Sequence, residues 1–158
     1  MSKITPCLWF DGKAEEAARF YTSLFDDAKI LHVGRYGEGM PFPAGAAMMV
    51  VFTLAGQQFQ ALNGGPQFPF TEAISMSVRC ADQAEVDHFW NALCDGGSPS
   101  RCGWLKDRFG LSWQIVPDAL VRLQESGDAV ATGRMFQALM GMTKLDIAAL
   151  ERAYRGEG

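Results

Sequence analysis

The sequence predicts an α+β fold of two successive β-α-β-β-β modules followed by extra helices. Alternating apolar residues mark short strands, and an apolar stripe at helical spacing follows the first strand of each module. The first strand–helix pattern also recurs after 69 residues, which pairs Glu16 with Glu85 and Phe20 with Phe89. We therefore expect one domain over residues 3–117, with modules at about 3–65 and 71–117. A helical extension over residues 118–158 would pack on this domain or on a partner subunit.

The first module begins with a predicted strand at residues 4–10, which a turn at Asp11 and Gly12 ends. Residues 14–25 predict a helix, because apolar side chains recur there on one stripe. The segment 37–45 carries three glycines and two prolines and predicts a loop. Strands are predicted on either side of this loop at 29–36, 46–54 and 57–62.

The second module repeats this order, with a half-buried strand at 73–79 and a helix at 82–95. Asp82 and Glu85 have the spacing of a capping box at the start of that helix. Strands at 103–106 and 111–116 are joined by a predicted four-residue turn that begins with Asp107. After Pro117 the pattern becomes helical, over 128–140 and again after Asp146 as an N-cap.

Composition excludes several functional classes. Among 158 residues, 14 Lys and Arg face 18 Asp and Glu, so the net charge is −4 and no basic surface for nucleic acid is expected. No apolar stretch is long enough to span a membrane. Residues 1–6 lack the apolar segment of a signal peptide, so we expect a cytoplasmic protein. The four cysteines form no Cys-x-x-Cys pair and are expected to be free thiols.

Four short sequence motifs, two in each module, point to a known family of proteins. These are CLWFDG at residues 7–12, ALNGGP at 61–66, CGWLKD at 102–107 and GLSWQ at 110–114. Together with the tandem β-α-β-β-β pattern they resemble the vicinal oxygen chelate superfamily, which includes glyoxalase I, extradiol dioxygenases and bleomycin-resistance proteins. Within it they resemble the PhnB-like family, often labelled 3-demethylubiquinone-9 3-methyltransferase. The resemblance implies that the modules form a half-open mixed-sheet barrel around a ligand cavity, and that the protein is a homodimer.

The resemblance also bears on metal chemistry. Metal-dependent members take one ligand from the first strand and one from the last strand of each module. Those positions fall near Ile4 and Ala73 and at Gln60 and Gln114 in this chain. Isoleucine and alanine cannot bind a metal, and two neutral amides are too weak a set alone. We therefore expect no metal and no cofactor, and a glycine-rich nucleotide-binding motif is also missing from the sequence.

Strand alternation suggests which side chains line the implied cavity. Gln60, Gln114, Ser75, Ser77 and Leu8 are expected on one face, where neutral hydrogen-bonding groups and apolar walls suit a small molecule. The loop after the first module could add further cover. The full predicted pocket set is Leu8, Gln60, Asn63, Phe68, Ser75, Ser77, Trp104 and Gln114.

Three functions remain open at this point. The first is metal-free binding of an unknown small molecule. The second is an enzyme, either the methyltransferase of the family label or, if a metal binds, a lyase, isomerase or dioxygenase. The third is an interaction module with a collapsed cavity. Asp11, Lys106 and Asp107 lie near motif ends, where the two aspartates suit turns, and we name no catalytic residue.

Overall fold

Each predicted module forms its own four-stranded mixed sheet with one helix packed against it. A computed structural model of the chain describes residues 2–157 and divides the chain into unit 1, Met1–Phe70, and unit 2, Thr71–Gly158. The strands are β1 (Cys7–Phe10), β2 (Ala28–Arg35), β3 (Ala47–Leu54), β4 (Gln57–Asn63), β5 (Ser75–Cys80), β6 (Ser98–Pro99), β7 (Trp104–Lys106) and β8 (Ser112–Pro117). The helices are α1 (Ala14–Leu24), α2 (Gln83–Cys94), α3 (Asp118–Gln124), α4 (Ala129–Met140) and α5 (Ile147–Arg155).

Unit 1 has the strand order β1-β4-β3-β2. The first strand runs parallel to β4, and the other neighbours are antiparallel. Helix α1 buries Ala14, Ala17 and Tyr21, and the Tyr21 ring lies 6.4 Å from that of Phe52 on β3. The small alanines let the helix approach the sheet closely, so apolar area on both elements is removed from water.

Unit 2 has the corresponding strand order β5-β8-β7-β6, again with its first strand parallel to the last. Helix α2 buries Val86, Phe89 and Leu93. It begins at the predicted Asp82 cap, and the Glu85 side chain bonds the N–H of the residue before the cap rather than that of Asp82 itself. Asp82 Oδ1 accepts the Glu85 N–H at 2.9 Å, and Glu85 Oε1 accepts the Ala81 N–H at 2.9 Å.

The three C-terminal helices have a core of their own within unit 2. Its buried members are Leu120, Met135, Leu139, Leu145 and Leu150, and Cys102 and Val116 from the sheet region pack against them. The loop before α5 is also tied to the sheet by backbone bonds. The N–H groups of Cys102 and Gly103 donate to the carbonyls of Met142 and Thr143, each at 2.8 Å.

The predicted α+β class is confirmed, with both sheets open rather than closed on themselves. The first strand of each module starts later than predicted, at Cys7 and Ser75. Ile4 is exposed ahead of β1, and residues 71–74 form a turn in which the Ala73 N–H donates to Thr71 Oγ1 at 3.3 Å. Within residues 2–157, none of the helices combines the length and apolar character needed to cross a bilayer.

Candidate functional site

Each sheet has two chemically different faces. One face, the helix face, packs on α1 or α2 and carries buried apolar side chains such as Val50, Phe52 and Ile115. We call the opposite one the amide face, because it carries Gln60 in unit 1 and Gln114 in unit 2. Both glutamines lie on an inner strand, β4 or β8, and both are half-buried.

The amide face of unit 1 is organised around Gln60. The strand register pairs Gln60 with Cys7 on β1 and with Val51 on β3, and it pairs Val51 with His32 on β2. These four side chains therefore form one row across the sheet. Burial raises the pKa of the Cys7 thiol, so its neutral form is favoured.

An aromatic pair lies on the same face, one row along. Trp9 pairs with Leu62, and its indole N–H donates to the Gly65 carbonyl at 2.9 Å. The ring lies so close to Gly64 that a Cβ there would be 2.3 Å from two of its carbons. Phe68 meets Trp9 edge-to-face at 5.0 Å and is 65% exposed, so this predicted pocket residue forms an accessible aromatic surface with Trp9.

The amide face of unit 2 brings four predicted pocket residues together. The register pairs Gln114 with Ser77 on β5 and with Trp104 on β7. Gln114 Nε2 donates to Ser75 Oγ at 2.9 Å. This bond orients the amide and uses one of its two N–H donors.

Two predicted pocket residues need correction. Leu8 pairs with Ala61 rather than Gln60, which puts it on the helix face, where it is buried. Asn63 is also buried, and its side chain serves the scaffold. Its Oδ1 accepts the Ala14 N–H at 2.9 Å, and its Nδ2 donates to the Ala47 carbonyl at 3.0 Å.

The residues at the strand positions that hold a metal in metal-dependent relatives do not fit one. The first-strand neighbours of the two glutamines are Cys7 and Ser77, not Ile4 and Ala73. One thiol favoured in its neutral form, one hydroxyl and two amides lack the imidazole or carboxylate ligands that zinc and iron sites use. His32 is separated from Gln60 by a whole strand. No group of three or more His, Cys, Asp or Glu suited to a metal occurs in residues 2–157.

A cavity of about 550 Å³ lies elsewhere in unit 2, among the start of α2, α3 and α5. Three arginines and three acidic residues line it, so their charges balance. Its two aspartates already cap helices α2 and α5. None of the predicted pocket residues contributes to it. Its charged members are Asp82, Arg122, Asp146, Glu151, Arg152 and Arg155.

Sequence reasoning left several side chains of the amide faces out of the predicted pocket, although strand alternation did put Ser112 on the same face as Gln114. Trp9 and Cys7 lie on the unit 1 face, and Ser112 and Lys106 lie on the unit 2 face. The parallel register of β1 on β4 is what puts Cys7 beside Gln60, and alternation within one strand does not give that register. Strand alternation could not find the partner of Lys106. That partner is Glu72, which lies in the turn before β5 and places its Oε1 2.6 Å from Lys106 Nζ.

The chain matches a described family over most of its length. The family is described as 3-demethylubiquinone-9 3-methyltransferase, and its match covers residues 2–116. No curated protein matches the chain.

Solved structures share the fold. A PhnB protein from Bacillus cereus is 38% identical with a TM-score of 0.69, and the match covers 73% of this chain and 99% of that one. Protein PA1353 from Pseudomonas aeruginosa is 24% identical with a TM-score of 0.60, over 75% of this chain and 100% of that one. A glyoxylase/bleomycin resistance protein/dioxygenase domain from Frankia sp. EAN1pec is 15% identical with a TM-score of 0.50, over 74% and 92% of the two chains. This chain therefore belongs to the family described as 3-demethylubiquinone-9 3-methyltransferase, and it has the fold of the glyoxalase/bleomycin resistance proteins.

Proposed function

We propose that this protein binds a small organic molecule on the amide faces of its sheets. One observation carries the proposal. Each sheet presents a half-buried glutamine on an inner strand, on the same face as a tryptophan, with Gln60 near Trp9 and Gln114 paired with Trp104. Aromatic rings supply contact area, and a few placed amide and hydroxyl groups supply orientation, which is the usual composition of a small-molecule site.

The fixed orientation of the Gln114 side-chain amide in unit 2 also supports binding. The bond to Ser75 fixes Gln114 in one orientation, while its carbonyl oxygen and second N–H stay available to a ligand. A pre-oriented group costs less entropy when it binds than a freely rotating one. The helix faces cannot serve in this way, because α1 and α2 pack on them and cover apolar residues such as Phe52 and Ile115.

Binding can be tested by saturation-transfer NMR with three probes, 4-hydroxybenzamide, 4-hydroxybenzoate and the tailless quinone ubiquinone-0. We expect at least one probe to bind the full-length protein. We expect Gln114→Ala or Gln60→Ala to weaken that probe about five- to tenfold, because a hydrogen bond to the ligand is lost. Gln137→Ala is the matched control, since Gln137 is exposed on α4. No binding by any probe, or equal loss in the control, would contradict the proposal.

The family description supports a second candidate, methylation of 3-demethylubiquinone-9 at position 3. Methyl transfer to an oxygen needs a group that accepts its proton, and His32 on the unit 1 amide face carries an imidazole that can act as a general base. This candidate is tested by incubating the protein with S-adenosylmethionine and a short-chain 3-demethylubiquinone. A methylated quinone detected by mass spectrometry would support catalysis over binding alone.

A further inference from the structure

The hydroxyl of Ser112 has an unusual environment. Ser112 is the first residue of β8, it is 1% exposed, and its Oγ has no hydrogen-bond partner within residues 2–157. Buried side-chain hydroxyls nearly always have a partner, so each exception needs a physical explanation. Ser112 lies on the amide face, two residues before Gln114 on the same strand.

Its neighbours across the sheet are polar. The register pairs Ser112 with Ser75 on β5 and with Lys106 on β7. Strands β7 and β8 are antiparallel, and the Cβ atoms of partners such as Ser112 and Lys106 lie about 5 Å apart in such a pair. The Ser75 hydroxyl accepts the Gln114 amide, whereas the Ser112 hydroxyl has no acceptor. Ser112 and Lys106 are therefore two adjacent donors, and the ammonium of lysine can only donate.

An ion pair crosses β8 beside this serine. Lys106 Nζ lies 2.6 Å from Glu72 Oε1, and Glu72 precedes β5 on the far side of β8. The two side chains are 43% and 64% exposed, so water screens the pair and a competing carboxylate can replace Glu72. The hydrogen bond and charge of Lys106 lower the pKa of Glu72, which therefore stays ionised at neutral pH.

We propose that Ser112 and Lys106 form a subsite for the carboxylate of a small ligand. The ligand carboxylate replaces Glu72 on Lys106, and its second oxygen accepts the Ser112 hydroxyl. Exchanging one carboxylate for another on Lys106 changes little, whereas Ser112 gains a hydrogen bond that it lacks, so the exchange favours the ligand. This inference rests on the proposed binding function and narrows the ligand class to small carboxylic acids.

The test compares an acid with its neutral analogue on the full-length protein. We expect 4-hydroxybenzoate to bind about tenfold more tightly than 4-hydroxybenzamide by isothermal titration. Ser112→Ala should remove most of that preference and leave the affinity for 4-hydroxybenzamide unchanged. Glu72→Gln should tighten benzoate binding several-fold, because the competing carboxylate is removed. Ser100→Ala, at an exposed serine, is the matched control and should change neither affinity.

The outcomes separate this inference from the proposed function. Equal affinity for the two probes, or binding of ubiquinone-0 alone, would overturn the carboxylate subsite and leave small-molecule binding intact, whereas no binding by any of the three probes would overturn both. Weaker benzoate binding by Glu72→Gln would show that Glu72 holds the ligand and would overturn the exchange. Melting temperature gives a readout that needs no ligand. Ser112→Ala should equal or exceed the wild type, and a fall of several degrees would show that the hydroxyl already has a partner.

Discussion

At the scale of single residues, the buried polar side chains separate scaffold from site. Asn63 sits in a motif that the sequence associates with the pocket, yet its amide oxygen and one of its amide N–H groups bond to the backbone of the fold. Position 13, before α1, is a lysine whose side chain makes no cap bond. Asn63 takes over that role from β4 and accepts the first helical N–H.

Replacing Asn63 should therefore cost stability rather than ligand affinity. We expect Asn63→Ala to lower the free energy of unfolding by about 2–4 kcal/mol, because the Ala14 N–H and the Ala47 carbonyl lose their partners in a buried setting. Urea denaturation measures this, with the exposed Asn91→Ala on α2 as control. If Asn63→Ala were as stable as the wild type but bound its probe more weakly, Asn63 would be a ligand-binding residue.

The cysteines differ in reactivity for equally local reasons. Burial, helped by the nearby Glu85, Asp118 and Asp82 carboxylates, raises the pKa of Cys80 to about 12. Cys7 is exposed as a residue, and only the partial burial of its thiol raises its pKa. The thiolate is the form that reacts, so burial and a scarce thiolate both protect Cys80.

Native alkylation with iodoacetamide should therefore label Cys7 and spare Cys80. Peptide mass spectrometry gives the ratio at each site, and protein unfolded in guanidinium chloride provides the control in which both react. Equal native labelling of the two thiols would contradict the assignment.

The raised pKa of Cys80 also makes the free energy of unfolding depend on pH. Between the unfolded pKa near 9 and about 12, the unfolded thiol loses its proton first, so Cys80 stabilises the fold less as pH rises.

At the scale of elements, one carboxylate organises the turn between β7 and β8. Asp107 is 3% exposed, and its Oδ1 accepts the N–H groups of Phe109 and Leu111 at 2.8 and 3.1 Å. Its Oδ2 accepts the Trp113 indole N–H at 2.8 Å. The sequence predicted a turn that begins at this aspartate, and the structure confirms it while adding the bond to Trp113.

Asp107→Asn should destabilise this turn by about 2–3 kcal/mol. The amide oxygen can still accept the two backbone groups, but its NH₂ would face the indole N–H of Trp113, and the charge assistance is lost. The matched control is Asp95→Asn. The Asp95 carboxylate is 82% exposed and meets Arg108 at 3.4 Å, so the change should stay within about 0.5 kcal/mol. Equal urea midpoints for the two variants would contradict the role of Asp107.

Local chemistry also decided how much of the fold the sequence could predict. The helices at 14–25 and 82–95 are confirmed to within a residue at each end, because their apolar stripes and the Asp82 cap depend on near neighbours. The faces of β4 and β8 were likewise predicted, since alternation is a property of one strand. The short strand β6 carries no such pattern and was missed.

Register between strands could not be read from one strand alone. A shift of a single residue exchanges the two faces, and this is how Leu8 was assigned to the wrong one. The same limit displaced the metal-ligand positions to Ile4 and Ala73, when the residues beside the glutamines are Cys7 and Ser77. The buried Ser112 hydroxyl and the Lys106–Glu72 pair depend on three strands together, so no single segment indicated them.

At the scale of the whole molecule, the C-terminal helices are the part that the family match leaves out. The match ends at residue 116, and the Bacillus cereus relative uses 99% of its own length within 73% of this chain. The extension is nonetheless built into unit 2. Gln83 on α2 donates to the Leu145 carbonyl at 3.0 Å and accepts the Ile147 N–H at 2.8 Å.

Leu145 is the residue that tests whether sheet and extension unfold together. Its side chain is 1% exposed, and a Cβ at Gly103 would lie 3.0 Å from its Cγ, so it packs directly on the sheet segment. We expect Leu145→Ala to cost about 2–4 kcal/mol through the lost contacts and the cavity that remains. Hydrogen exchange should then speed up by about the same factor at Met135 in α4 and at Ile115 in β8, because one cooperative unit contains both. Met140→Ala, at a side chain 67% exposed on α4, should change neither rate. Faster exchange at Met135 with Ile115 unchanged would mean that the helices open independently, and that the sheet carrying Gln114 and Ser112 is stable without them.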